Sequence, residues 1–447
     1  MSHTMAESKE ILGQLQPVLN HLSTVPYPHV DNPEGCKKRA SVAVVIRVRQ
    51  GFEPASAPNE SLVNLEQEDS QASSIDEFFE KDWVQKGEPE VLFIKRAGRA
   101  GDRWSGHIAL PGGKRDPEDE SDRAAAVRET REEVGLDLSA PEVLEAGNLP
   151  ERIVATTFGR IPLMVLCPYI FLYTSKATPQ LKPSPDEVAS VHWVPLRALL
   201  SPKLRTREHV DTASRMAKQG GPVLQFVLRL LVGRMMLSAV KLVPSESVFA
   251  TSVPGFIPAE GETLFSGLAE GAFGIPSSNQ GLAHLQPLHL WGLTLGVLAD
   301  FLDMLPPYNA VQLWEYPTFT PPDLRIFVWL FTKSMRKNNA HDLSAGTWPY
   351  KNKPKTRRRA SQTAMDATSF ATAVTEGEPT KLSGSPEVGI EGSGVGKSPQ
   401  DAVGRLLEGY YHNMNIAIVA FLMYRTALGS AIAYYGFKLW RRYQSRL

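Results

Sequence analysis

Cysteine is almost missing: Cys36 and Cys167 are the only two in 447 residues. Two thiols exclude a disulfide framework in practice and fit a reducing, intracellular compartment. An excess of one charge is missing as well, with 48 basic residues against 48 acidic ones. That balance excludes a general polyanion-binding character, and no nucleic-acid partner is expected. Residues 1–24 lack the apolar core of a secretory signal. Ile11, Leu12, Leu15, Val18, Leu19 and Leu22 recur there at helical spacing instead and predict a short amphipathic helix. Long apolar runs are scarce, and the main exception lies near residue 420. The chain exceeds one typical domain in length, so a catalytic domain with appendages is expected.

What the chain does have is a charged stretch entered through Gly112-Gly113 and closed by Arg128-Glu-Thr-Arg-Glu-Glu-Val-Gly135. Asp122 to Val134 reads as a helix, with Ser121 or Asp119 to cap its start and Gly135 to end it. Glu129, Glu132 and Glu133 stand at i, i+3 and i+4, so three carboxylates share one helix face. An acidic face is ordinarily a solvated one. Here it follows a Gly-Gly loop whose backbone carbonyls can face a cation. Hard oxygen donors of this kind suit Mg²⁺ or Mn²⁺, and Mg²⁺ usually reaches its site together with substrate phosphates.

These residues resemble the Nudix hydrolase box, G-x5-E-x7-R-E-U-x-E-E-x-G-U, with U a bulky apolar residue. Glu120, seven intervening residues, Arg128-Glu129, Glu132-Glu133, Gly135 and Leu136 fall in place. Six residues rather than five separate Gly113 from Glu120, the extra one being assigned to the loop around Pro117, and Thr130 stands where an apolar residue is usual. The resemblance implies metal-assisted attack of water on a diphosphate. It implies Glu129 and Glu133 as principal metal ligands and Glu132 as a further ligand or the base that activates water. A backbone carbonyl of Gly112 or Gly113 would be another ligand, and Arg128 and Glu120 would form an orienting ion pair. The implied fold is an α/β/α sandwich with a mixed sheet, its strands near 40–48, 90–96, 142–149 and 160–173.

A narrower resemblance precedes the box. Leu92-Phe-Ile-Lys-Arg96-Ala97, Arg103, Gly106 and Leu110-Pro-Gly-Gly113 are similar to L-L-T-x-R-[SA]-x3-R-x3-G-x3-F-P-G-G of Nudix proteins acting on coenzyme A. Phe93-Ile94 replace Leu-Thr, Leu110 replaces Phe, and the arginine spacing is shifted. The implied substrate is coenzyme A or an acyl-CoA, cut to adenosine 3′,5′-bisphosphate and (acyl)phosphopantetheine. Arg96, Arg99 and Arg103 are candidates to hold its phosphates, because guanidinium binds phosphate bidentately; the alternative is a solvated loop. Trp104 either stacks on adenine or packs on the sheet. Glu187, ahead of His192-Trp-Val-Pro-Leu196, resembles the distal carboxylate of Nudix proteins, or is a polar residue before a strand. Leu288–Leu305 resembles the terminal helix of the coenzyme A subfamily, with His289 either touching substrate or serving the core. Two other readings stand beside this one: another nucleoside diphosphate derivative as substrate, and a catalytically silent, membrane-tethered binding module. The three glutamates argue against silence, since each added carboxylate costs repulsion that a cation relieves.

Beyond the site, the sequence divides into a lead-in at 1–39, a catalytic domain at 40–305, an extension at 306–332, a disordered linker at 333–408 and a hydrophobic helix at 409–447. Within the domain, 51–88 is polar and acidic and reads as a surface insertion, and 204–286 reads as an extended second one. Val223–Leu237 is too charged for an easy membrane span and predicts an amphipathic helix. Ser361, behind three arginines in the linker, is a candidate kinase target. Asn415–Trp440 has the length of a spanning helix. Tyr434, Tyr435 and Trp440 lie near its end, with Lys438, Arg441 and Arg442 alongside. Arg425 near its middle costs about 2.5–3.5 kcal/mol on insertion scales. A C-terminal membrane anchor is the expectation, against an interfacial or partner-binding helix. Ser445-Arg446-Leu447 resembles the Ser-Lys-Leu peroxisomal address, a reading that competes with the anchor. An intracellular, membrane-associated place is the expected location, with the peroxisome and the mitochondrion as open alternatives.

Overall fold

Alternation along one central strand sorts the chain into layers. A computed structural model describes residues 2–50, 72–98, 104–155, 162–211, 221–252, 288–344, 402–407 and 409–444. In β1 (Arg39–Arg49), Val44, Ile46 and Val48 belong to one buried cluster, and Ala43 and Val45 to another on the opposite face. The first face is covered by α1 (Ser2–Thr24). Its Leu15, Val18, Leu19 and Leu22 form the predicted apolar stripe and share a core with Phe93 of β2 (Glu88–Arg96). The second face is covered by α4 (Asp122–Val134), whose Val134 lies with Ala43, Leu92, Ile94 and Trp193. The result is an α/β/α sandwich.

The sheet between these layers is mixed. β1 runs antiparallel to β2 and parallel to β7 (Pro162–Tyr173). With β5 (Val143–Asn148), β8 (Val188–Pro195) and β11 (Glu246–Phe249), the order is β11-β8-β2-β1-β7-β5. Short strands β3 (Ile108–Ala109), β4 (Gly112–Lys114) and β6 (Arg152–Ala155) pair with β2, β1 and β7.

Three expected boundaries move. In 51–88, residues 51–71 lie outside the described residues, but α2 (Ile75–Glu80) and α3 (Asp82–Gln85) are no surface insertion. They bury Phe78, Phe79, Trp83 and Val84 under α1, because four large apolar groups outweigh the acidic residues between them. The 204–286 segment, its described parts at least, builds structure too. β11 joins the main sheet, while β9 (Arg205–Val210) and β10 (Met235–Lys241) form a second sheet with β12 (His289–Trp291) and β13 (Thr318–Phe319). The predicted 223–237 helix is α6 (Gly221–Val232), following α5 (Leu196–Leu200); it stops at Gly233, whose φ of +69° ends it, and Met235 already belongs to β10. Third, the expected linker does not begin at 333, and its residues 345–401 lie outside the described residues. After α7 (Gly292–Leu302), α8 (Pro322–Ser344) continues past that point, with Thr332 buried and Met335 half-buried. α9 (Ala402–Leu407) and α10 (Tyr410–Gln444) then pack with α8 in one core. Ser361 and Ser445–Leu447 lie outside the described residues.

A buried arginine ties the lead-in to the catalytic helix. Arg39 Nε bonds Asp122 Oδ2 at 2.7 Å, at the first residue of α4. Its Nη2 bonds Glu151 Oε2 at 2.7 Å and Cys167 Sγ at 3.1 Å, and its Nη1 bonds Val30 O at 2.8 Å and Asn32 Oδ1 at 2.9 Å. Arg39→Met would take the cation from the buried Glu151 side chain and leave buried Asp122 only the longer 3.4 Å contact to Arg115. The expected loss of stability is about 3–5 kcal/mol, read from urea unfolding; an unchanged midpoint contradicts the clamp.

Candidate active site

Two glycines set the floor of the site for different reasons. Strand β4 places Gly112 opposite Val42 and Gly113 opposite Ser41. A Cβ on Gly112, whose φ is +145°, would stand 2.2 Å from Ser41 O and 2.6 Å from Val42 Cα. A Cβ on Gly113 would stand 2.4 Å from the Glu129 carboxyl carbon. The first glycine lets the loop lie against β1, and the second leaves room for an acid.

The acids come from α4. Ser121 caps it by accepting from Ala124 N at 3.1 Å, and Gly135 closes it at φ +74°. Thr130 suits its apolar surroundings because its hydroxyl donates to Ala126 O at 2.7 Å. Glu133 is 2% exposed and accepts from Gly112 N at 2.8 Å. Burial pushes its carboxyl up to about 8, with Glu129 and Glu187 adding to the rise; Gly112 N–H and Arg96 act the other way. Glu129 is raised as well, by burial above all, although Arg128 opposes it. Glu132 keeps 56% of its side chain in solvent at the rim. Glu187 and Arg96, from segments far apart in sequence, thus act electrostatically on the same acid.

Arg128 organises this group, but its partner differs from the predicted one. Its Nε and Nη2 hold Asp119 Oδ1 and Oδ2, each at 3.0 Å, and Nη2 also reaches Lys114 O at 3.1 Å. Its Nη1 lies 3.0 Å from both Glu129 and Glu132. Glu120 is exposed, so the predicted Glu120–Arg128 pair is replaced by Asp119–Arg128. Counted forward from Gly113, Asp119 follows five intervening residues, so the extra residue of the box falls after the acid rather than around Pro117. The bidentate contact holds the Asp119 carboxyl below its ordinary range.

The remaining candidates separate. Arg99 and Arg103 lie outside the described residues. Trp104 is 45% exposed. His289 Nδ1 lies 2.7 Å from Glu208 Oε2 inside the second sheet. Next to it, the Trp291 ring meets His107 at a tilt of 57° with centroids 4.7 Å apart, bringing β12 against the loop before Gly112. Sequence reading missed this pair, since nothing local links residues so distant. His29, Asp122 and Glu151 also gather within 4.8 Å, but Arg39 fills that space as an ion-pair partner. The Glu129, Glu132 and Glu133 donors are all oxygen, and half-buried Glu129 repels buried Glu133, a set that fits a hard divalent cation.

Residues 83–214 match the NUDIX domain. An uncharacterized protein of Schizosaccharomyces pombe is 32% identical over 264 residues, covering 59% of this chain and 71% of that protein. A peroxisomal coenzyme A diphosphatase of Mus musculus is 31% identical over 138 residues, covering 29% of this chain and 50% of that protein. A mitochondrial coenzyme A diphosphatase of Homo sapiens is 35% identical over 123 residues, covering 26% of this chain and 45% of that protein. The chain spans about half the length of these two diphosphatases.

The raised carboxyl has a measurable consequence. Between its ordinary value of 4.5 and about 8, Glu133 holds a proton in the folded cation-free protein that it releases on unfolding. The folded state therefore binds more protons, and stability falls as pH rises through that window. Thermal melts in a chelator are expected to show this decline, Glu133→Gln to flatten it, and added Mg²⁺ to stabilise more at the upper end. A melt whose pH dependence is the same in both proteins contradicts the assignment.

Proposed function

The chain belongs to the Nudix family of hydrolases, and from that premise we propose that it hydrolyses the diphosphate linkage of coenzyme A or an acyl-CoA, releasing adenosine 3′,5′-bisphosphate and (acyl)phosphopantetheine. The observation that carries the reading is Glu133, buried beneath Gly112 N–H beside a second raised acid, Glu129. Glu129 and Glu133 would hold Mg²⁺ or Mn²⁺, with a carbonyl of Gly112 or Gly113 as a further donor. When bound, the cation polarises the phosphoryl oxygens, acidifies water and neutralises the leaving group.

The chain's own groups do the rest. Asp119 and Lys114 O fix the Arg128 guanidinium, so that its third nitrogen aligns Glu129 and Glu132. Glu132, held by Arg128 at the exposed rim, would add a donor or accept the proton of the attacking water. Arg96, whose charge already acts on Glu133, takes a substrate phosphate, and Arg103 is proposed to take another. Support for a coenzyme A substrate comes from the Arg96-to-Gly113 segment and from the two coenzyme A diphosphatases among the relatives. The shifted arginine spacing favours, as a second reading, another nucleoside diphosphate derivative.

A membrane location is also proposed. Among the described residues, α10 is the one helix long and apolar enough to cross a bilayer by length and composition. With a peroxisomal and a mitochondrial protein among the relatives, an organelle membrane is the proposed site.

Loss of a supporting group around such a metal costs about 10–100-fold. Glu133→Gln is expected to lose at least the upper end of that range in kcat with Mg²⁺ or Mn²⁺ while keeping its fold by circular dichroism. Arg96→Ala is expected to lower kcat/KM for coenzyme A by about 10–100-fold, one charged hydrogen bond's worth. A substrate panel decides the class: cleavage of nucleoside diphosphate sugars with coenzyme A untouched rejects the leading reading.

A further inference from the structure

The two halves of α10 have different surroundings. In the first, Tyr410, Met414, Ala417 and Phe421 are buried in the core shared with α8. Arg425 Nε closes this half with a 3.0 Å bond to Asp323 Oδ2, in the first turn of α8. Since α8 starts at Pro322, α10 outruns its partner there, and every described residue from Thr426 to Gln444 is exposed. Leu428, Ile432 and Leu439 follow one side of that free half, and Phe437 and Trp440 lie on others. A helix apolar all round is unsuited to water.

This half is too short to cross a membrane. Its apolar part, residues 426–440 between Arg425 and Arg441, extends about 22 Å at 1.5 Å per residue, against a hydrocarbon core of about 30 Å. Drawing in the first half would strip Tyr410 and Phe421 from their core and carry the Arg425–Asp323 pair into lipid. The neighbouring helix offers the remaining area: α8 exposes Ile326, Trp329 and Leu330, the last at 62%. The charges around this surface are cationic. Lys333 stands 4.8 Å over the Trp329 ring, Lys438, Arg441 and Arg442 end α10, and α10 contains no Asp or Glu. Apposing a second copy would set cations against cations, whereas anionic headgroups complement them.

We propose that the protein docks on one leaflet of an anionic bilayer as a monotopic protein, with the free half of α10 and the outward face of α8 embedded together. The proposal rests on the membrane reading above and replaces a single-pass anchor on a tether with a catalytic domain seated on the lipid surface. The basic residues sit at headgroup level and the apolar ones in the acyl boundary.

The test is co-sedimentation of the full-length protein with phosphatidylcholine vesicles containing phosphatidylserine. Two doubly substituted chains accompany it, Trp329→Glu with Leu330→Glu in α8, and Ile432→Glu with Leu439→Glu in α10. All four side chains are exposed, so circular dichroism should not change. Each pair is expected to lower the vesicle partition coefficient at least tenfold, and omission of phosphatidylserine to weaken binding as well. If the α8 pair partitions like the unsubstituted chain, the docking face is wrong while attachment through α10 stands. If the unsubstituted chain stays in the supernatant, attachment itself fails. A lipid-free dimer that the α8 pair dissolves would assign the face to a second copy and overturn the proposal.

Discussion

A carboxylate shut away from water, with a second acid beside it, is the constraint that the rest of this structure serves. An isolated buried charge is costly, and Glu133 responds by holding its proton more tightly. The fold keeps it there from three directions. β1 fixes the glycine loop above it, the core beneath Val134 fixes the helix, and Arg128 gathers the neighbouring acids without reaching Glu133 itself. A fold that spends stability to crowd oxygens in one place gives a divalent cation a site that is shaped before it arrives.

The helix of the box was legible almost residue by residue, because its signals are local. Ser121 and Gly135 act within one turn, and the i, i+3, i+4 spacing follows from helix geometry alone. Counting the box back from Arg128 selected Glu120. Counting forward from Gly113 reaches Asp119, and only a folded loop decides between them. Elsewhere the signals were too short or too distant. α2 and α3 are shorter than the window in which helical periodicity can be seen. The break at Gly233 was visible as a residue, but not the strand after it, whose partners lie at 205–210, 289–291 and 318–319.

Buried arginines mark where distant segments meet. Arg47 joins Glu90 of β2 to Glu246 of β11 and lies 4.2 Å from the Trp193 ring centroid. Arg152 of β6 pairs with buried Asp300 of α7. Pairs of this kind contribute little net stability when compared with well-packed apolar groups. Each is satisfied only when both segments are in register, so the segments after 204 belong to the architecture of the domain.

The second core has an implication for how the chain matures. Val232, Phe319, Tyr410 and Phe421 share that core although nearly two hundred residues separate the first from the last. Contacts of such long sequence separation close late and slowly. On the ribosome, a nascent chain paused before residue 421 has its sheet available but this core open, with apolar helix faces accessible to chaperones. Among the described residues, α10 therefore acts as the stopper of this core.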